Sequence, residues 1–334
     1  MISNVVCGTG EKKEYELSVL VLTYEQPEEK ILLTIASIME QKGVELQIIL
    51  SDDGSLNACF HKCKEFMEIA GFRDYKIIYH DQNGGTVANL SDALDAADGD
   101  FIKSLGPGDC FSSESIVRMW LDDTKKKNYQ LSFCDTINYS ENGGVYECIV
   151  EVAHPQKPRI YEKSGNLGKK YYLLYNDIFS GIAVMCKRSL MCKYINIIKD
   201  IVKYAEDNMF RFMMLDGVKC SYFSNVAVYY EWGGISTKED SEFNKAIKKD
   251  WDETTKLICK FCKNNGIENK IRNYLLPDGE KKSFIDKIYS IIAKGDIYFH
   301  YKKADGKKRL TSVGDLSYLY RLKNEVSGQR YQGS

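Results

Sequence analysis

Between residues 17 and 105 the chain alternates short β-rich runs with amphipathic helical stretches, and this alternation restricts the fold more than any other property of the sequence. Residues 17–24 (LSVLVLTY) form an apolar run of the kind that fills a strand buried on both faces of a parallel sheet. Residues 28–41 then place Ile31, Leu32, Ile35, Ile38 and Met39 at helical spacing. Pro27 precedes them, and Glu28 and Glu29 stand where a helix dipole favours negative charge. The pattern continues as strand 46–51, helix 56–70, strand 75–80, helix 86–97 and strand 101–105. Such repetition predicts an α/β fold with a mostly parallel central sheet flanked by helices. With 44% hydrophobic and 28% charged residues in 334, the chain has ample material for a packed core and no signature of disorder.

Beyond Pro107-Gly108 the sequence predicts a helix from 112 or 113 to about 127 and strands at 130–139 and 145–152. Regular alternation then stops at the loop 155–158. A mixed region follows, helical at 167–176 and 204–215 and strand-like at 181–186 and 219–230. A Trp232-Gly233-Gly234 turn precedes a helical pattern at 239–264, and Pro277-Asp278-Gly279 marks a break. The expected organisation is one α/β domain over 1–240 and a helical, basic C-terminal extension over 241–334.

No apolar run approaches the roughly 20 residues that cross a bilayer, and residues 1–14 lack the apolar core of a secretory signal. Eleven cysteines in no framework spacing fit free thiols in a reducing cytoplasm. The pairs Cys59/Cys63 and Cys259/Cys262 lie in helical stretches without a nearby His, so buried thiols are favoured over a zinc site. The net charge of −1 hides an asymmetry: residues 281–334 hold twelve Lys and Arg against five Asp and Glu, a net of +7 that leaves −8 for residues 1–280.

In open α/β sheets ligands bind beyond the carboxyl ends of the strands. The four tips read Thr23-Tyr24-Glu25, Asp52-Asp53-Gly54-Ser55, Asn83-Gly84-Gly85 and Gly106-Pro107-Gly108-Asp109, and all are polar, acidic or glycine-rich. Helix capping alone accounts for Asp52-Asp53 and a simple turn for Gly84-Gly85. The absence of GxGxxG after the first strand disfavours a dinucleotide site, and the absence of GxxxxGK[ST] excludes a P-loop.

Taken in order, LSVLVLTYEQ, SIMEQ, LQIILSDDGS, NGGTVANLSDALDAADGDFIKSL and the later Glu206-Asp207 resemble the inverting glycosyltransferases of family 2, of the bacterial surface-polysaccharide type, over about residues 16–240. The resemblance implies a GT-A fold and a nucleotide-sugar donor, UDP-linked. It places Tyr24 on the base, with Thr23 lining its pocket and Asp53 accepting from the base edge, and counts Glu25 and Asp52 of the same tips among the nucleotide-sugar-binding residues. Gly85 and Asn89 fall near the donor phosphates or sugar, and Trp232 in a segment closing over the donor. Asp207 matches the family's general base, with Glu206 orienting or contacting the acceptor. Without the resemblance, these two acids read as stabilising the first turn of an amphipathic helix.

The fourth tip departs from the pattern. The family's Asp-x-Asp, which holds a divalent cation on the diphosphate, is replaced by Gly106-Pro107-Gly108, and only Asp109 remains. Mn²⁺ or Mg²⁺ at Asp109 is the expectation; metal-independent activity, or a catalytically silent nucleotide-sugar or glycan-binding protein, are the alternatives. A nucleotidyltransferase is disfavoured because the first tip lacks a Gly-rich, basic signature. The resemblance implies a glycan or lipid-linked acceptor. The basic tail 281–334 then fits peripheral contact with anionic lipid on the inner face of the membrane, a solvated helical face or a homo-oligomer contact. Nucleic acid is the poorest partner, for no recognised motif accompanies the charge.

Overall fold

The computed structural model describes residues 2–10, 14–153, 157–163, 165–175, 180–232, 242–264 and 316–330, with isolated positions between 284 and 298. Its strands are β1 (Ile2–Cys7), β2 (Leu17–Thr23), β3 (Leu46–Asp52), β4 (Tyr75–His80), β5 (Phe101–Leu105), β6 (Cys110–Phe111), β7 (Leu131–Asn142), β8 (Val145–Ala153), β9 (Val184–Lys187) and β10 (Cys220–Glu231). They join in one sheet in the order β1-β4-β3-β2-β5-β9-β7-β10-β6, with β8 paired to β7. The pairs β2/β3, β3/β4, β2/β5 and β7/β10 are parallel, whereas β9, β1, β6 and β8 run against their neighbours.

The helices are α1 (Glu28–Met39), α2 (Phe60–Ile69), α3 (Thr86–Ala96), α4 (Ile116–Lys126), α5 (Pro158–Lys163), α6 (Gly165–Tyr175), α7 (Arg188–Ile198), α8 (Asn208–Leu215), α9 (Glu242–Asn264) and α10 (Ser317–Arg330). They bury their apolar stripes against both faces of the sheet. Leu17, Val19 and Val21 of β2 point into a core shared with α1, α2, α4 and α10, while Leu20 points into a second core built with α3, α7, α8 and α9. Ile48 and Leu50 against Ile49 repeat this alternation on β3, so the continuous apolar runs are those of strands covered on both sides.

The extension beyond residue 240 contributes to both cores. Ile258 and Cys262 of α9 join the second core, and Leu316, Leu319, Leu322 and Val326 at α10 join the first. Tyr318 Oη donates to Glu40 Oε2 at 2.7 Å, and Arg321 pairs with both Glu40 and Glu114. All eleven cysteines are free, Cys63 and Cys262 among the buried ones, and no group of three metal-ligating side chains occurs among the described residues.

Several boundaries differ from the sequence expectation. Helix α2 begins at Phe60 because residues 52–56 form a polar turn, in which Leu56 N–H donates to Glu25 Oε1 at 2.7 Å. Helix α4 begins at Ile116 because Cys110 and Phe111 first pair with β10. Strand β1 and helices α5 and α7 are additional elements.

Candidate active site

Parallel register brings the tips together: Thr23 stands beside Asp52, and Asp52 beside Tyr79, along one edge of the sheet. Thr23 Oγ1 donates to Asp52 Oδ1 at 3.0 Å, and the same carboxylate accepts from Ser55 N–H at 2.8 Å and Ser55 Oγ at 2.6 Å. Ser55 Oγ in turn accepts from Glu25 N–H at 2.7 Å, so the first two tips form one hydrogen-bonded unit. Glu25 holds a left-handed backbone (φ 49°), and Tyr24 presents its ring to solvent at 41% exposure, open to a stacking partner.

Asp53 joins this unit to the glycine loop. Its two oxygens accept the N–H groups of Gly84 at 2.7 Å and Gly85 at 2.9 Å. Burial raises its pKa in spite of those two donors. Gly85 (φ 95°) leads into α3, and a Cβ there would stand 2.5 Å from the Lys203 carbonyl oxygen, so glycine is required on both counts. Asn89 is buried, with its amide spent on Ser51: Oδ1 accepts from Ser51 Oγ at 2.5 Å and Nδ2 donates to Ser51 O at 3.1 Å. It therefore fastens α3 to β3. Trp232 is 47% exposed, its ring edge against Tyr230. Of the segment 229–237 assigned to donor closure, residues 233–237 lie outside the described residues.

Next to these tips opens a cavity of about 420 Å³. Its wall runs from Leu22 and Thr86 past Ser104, Gly106 and Asp109 to Gly181, Glu206, Asp207 and Asn208. Phe243, Ile247 and Trp251 of α9 close it with apolar surface. Of the residues singled out in the sequence, Asp109, Glu206 and Asp207 line the cavity; Thr23, Tyr24, Glu25, Asp52, Asp53, Gly85, Asn89 and Trp232 lie outside its wall.

The Glu206-Asp207 pair is held from a distance. Asp250 of α9 is buried and its carboxylate accepts the N–H groups of Lys203 at 3.1 Å, Tyr204 at 2.6 Å and Ala205 at 3.0 Å, which fixes the turn immediately before the pair. Gly181 packs so closely that a Cβ would lie 2.3 Å from Asp207 Oδ1, and that oxygen is buried without a hydrogen-bond partner. Burial raises the pKa of both acids; the Asp207 charge adds to the effect on Glu206, while the Gly181 amide and Lys103 oppose it on Asp207. Lys103 of β5 is 1% exposed, its Nζ donates to the Ser104 carbonyl, and burial lowers its pKa to about 8 against the attraction of Cys134, Asp109 and Asp207. Asp250, Gly181 and Lys103 escaped the sequence reading. A buried Lys inside an apolar strand was the one signal available, since the other two act through long-range contacts.

The fourth tip does not fit a divalent cation. Asp109 Oδ2 accepts Gly106 N–H at 2.9 Å and Oδ1 accepts Glu231 N–H at 3.1 Å, so both carboxylate oxygens are committed to backbone donors. Burial pushes its pKa up to about 7 in spite of these donors and Lys103, and Gly106 and Gly108 bring no carboxylate of their own. A hard cation needs several accessible oxygens. The expected Mn²⁺ or Mg²⁺ on Asp109 would thus have to share a carboxylate that already closes the loop.

Residues 18–176 match the family model of Glycosyl transferase family 2. The fold is similar to S. aureus TarS 1–349 in complex with UDP-GlcNAc, at 15% identity over 96% of this chain and 92% of that one, with a TM-score of 0.51. It is equally similar to the mannosyltransferase PcManGT from Pyrobaculum calidifontis in complex with GDP-Man and Mn²⁺, at 10% identity over 96% and 76%, TM-score 0.51. No curated protein sequence matches the chain. Identities this low carry the fold alone, that of GT-A glycosyltransferases; the family match over the strand tips identifies residues 18–176 as a family 2 glycosyltransferase segment.

Proposed function

We propose that the chain transfers a monosaccharide from a nucleotide sugar, UDP-linked, to a hydroxyl of a glycan or lipid-linked glycan, with inversion, and that Asp207 is the general base. One observation carries the reading: the adjacent acids Glu206 and Asp207 line a cavity that meets the ends of β2 and β5 and the start of α3. Inversion requires a base that takes the acceptor proton as the hydroxyl attacks the anomeric carbon from the face opposite the leaving diphosphate. Asp207 suits this role, because burial increases its proton affinity while the Gly181 amide and Lys103 favour the ionised form. Glu206 beside it is placed to orient the acceptor. The tips of β2 and β3 supply the nucleoside site, with Tyr24 free to stack and Asp53 bracing the glycine loop. The UDP-GlcNAc and GDP-Man in the two neighbours favour a donor of this class. The reading is tested by a thermal-shift screen of nucleotide sugars followed by assay of nucleotide release. A UDP-sugar is expected both to stabilise the protein and to turn over; stabilisation by none of them contradicts the reading.

For the acceptor side, we propose peripheral contact of the 281–334 region with anionic lipid on the inner face of the membrane. Phe284, Ile288, Ile291, Ile292 and Tyr298 are exposed, and in the sequence they are interspersed with Lys281, Lys282, Lys287 and Lys294. An apolar stripe with basic flanks is the pattern of a helix lying in a membrane interface. Replacing Phe284, Ile291 and Ile292 by Ser is expected to abolish co-sedimentation with phosphatidylserine vesicles. Undiminished sedimentation of that variant would dispose of the contact.

A further inference from the structure

The side-chain space at both glycines of the fourth tip is already filled by carboxylates from elsewhere. A Cβ on Gly106 would stand 2.9 Å from Asp109 Oδ2, and a Cβ on Gly108 would stand 2.0 Å from Glu231 Oε2. Gly108 also holds φ 96°, a backbone that resists any other residue. Acidic groups therefore remain at this tip, but they come from Asp109 and from the end of β10, and each is already engaged. Asp109 is closed by two backbone N–H donors, and Glu231 Oε1 is paired with Lys30 Nζ at 2.7 Å.

Lys30 is anchored to the same loop through its backbone. Its carbonyl accepts Gly108 N–H at 3.1 Å, and Thr34 Oγ1, one turn later on α1, accepts the same N–H at 2.9 Å. Its ammonium is thus fixed beside the tip that forms the cavity wall at Gly106 and Asp109. The Lys30 side chain keeps 34% exposure, against 14% for Glu231, so it stays partly open to solvent while its partner is largely covered. An ammonium has three N–H donors. Glu231 accepts one, and two remain for an incoming anion. The cavity wall itself holds no Lys, Arg or His among the described residues, which makes Lys30 the cation fastened to this loop.

We propose that Lys30, oriented by Glu231, is the cation that receives the donor diphosphate, and that donor binding needs no divalent metal. This rests on the nucleotide-sugar reading above. A compact, strongly hydrated point charge is an established way to hold phosphate oxygens. In this site the ammonium replaces a bridging ion, and Glu231 serves to position it while filling the space that Gly108 leaves open.

Titration of UDP and GDP into the full chain, in EDTA and in Mn²⁺, tests the proposal, with uridine and guanosine as uncharged controls. Expected is an affinity for one diphosphate that EDTA changes by less than about twofold. Lys30→Met should then weaken that diphosphate about tenfold or more, with little effect on the matching nucleoside, as loss of a charge-assisted contact does. Lys30→Arg should retain most of the affinity, which separates lost charge from a damaged fold. Binding that vanishes in EDTA, returns with Mn²⁺ and is indifferent to Lys30→Met overturns the proposal while leaving the nucleotide-sugar reading intact. Failure of both diphosphates to bind the unaltered chain under either condition removes that reading and the proposal with it.

Discussion

At the scale of single residues, the effect of burial on Asp207, the proposed base, is opposed by Lys103. Burial pushes the aspartate towards its protonated form, and the lysine ammonium pulls it back. A base must be ionised to act, so kcat/KM should fall as pH falls through the Asp207 pKa, with an acid limb above the ordinary carboxylate range near ~4. Lys103→Met removes the positive charge at nearly constant volume. It should shift the acid limb upward by about 0.5–1 pH unit, because an ionised aspartate then loses its attraction. A pH profile unchanged by the substitution would separate Lys103 from the base. The Glu206-Asp207 dipeptide was legible in the sequence, as was Asp109 as the last acid of an altered motif. The ion pair of Lys30 with Glu231 was not, since two residues that far apart in sequence meet only once β10 is laid beside β6.

At the scale of elements, α9 reaches back to the site. Asp250 satisfies three consecutive backbone donors, the last of them in a buried hydrogen bond. Asp250→Ala should lower stability by about 1–3 kcal/mol and, by loosening the turn that presents Asp207, lower kcat about tenfold with a much smaller change in donor KM. Unaltered kcat in a folded variant would show that the turn holds its shape without α9. Strands β4 and β5 were readable to the residue, because their apolar runs end sharply at polar tips. Helix α7 carries Met191, Tyr194, Ile195 and Ile198 at helical spacing, a signal present in the sequence but masked by the irregular stretch around it. Strand β1 left no such trace. It is an edge strand with exposed Ile2 and Val5, and its pairing with β4 decides its conformation.

At the scale of the whole molecule, the near-neutral net charge is the sum of an acidic transferase region and a basic C-terminal one, and the two are physically joined. Helix α10 buries Leu319 and Leu322 in the core shared with α1, and its Tyr320 Oη both donates to Tyr146 O at 3.0 Å and accepts Tyr146 N–H at 2.8 Å. Leu322→Ala should therefore cost about 2–5 kcal/mol in denaturant unfolding, as truncation of a fully buried leucine does. A loss near zero would mean that α10 contributes nothing to the core. The composition predicted the charge division but not this return of the chain, which depends on complementary shape between α10 and α1.

Whether Asp207 deprotonates the acceptor is decided by nucleotide release measured side by side for the unaltered chain and Asp207→Asn. The variant should bind the donor with unchanged affinity, gain a little thermal stability above neutral pH as repulsion with Glu206 is relieved, and release nucleotide at least about 100-fold more slowly. Equal release rates at equal donor affinity would contradict the account.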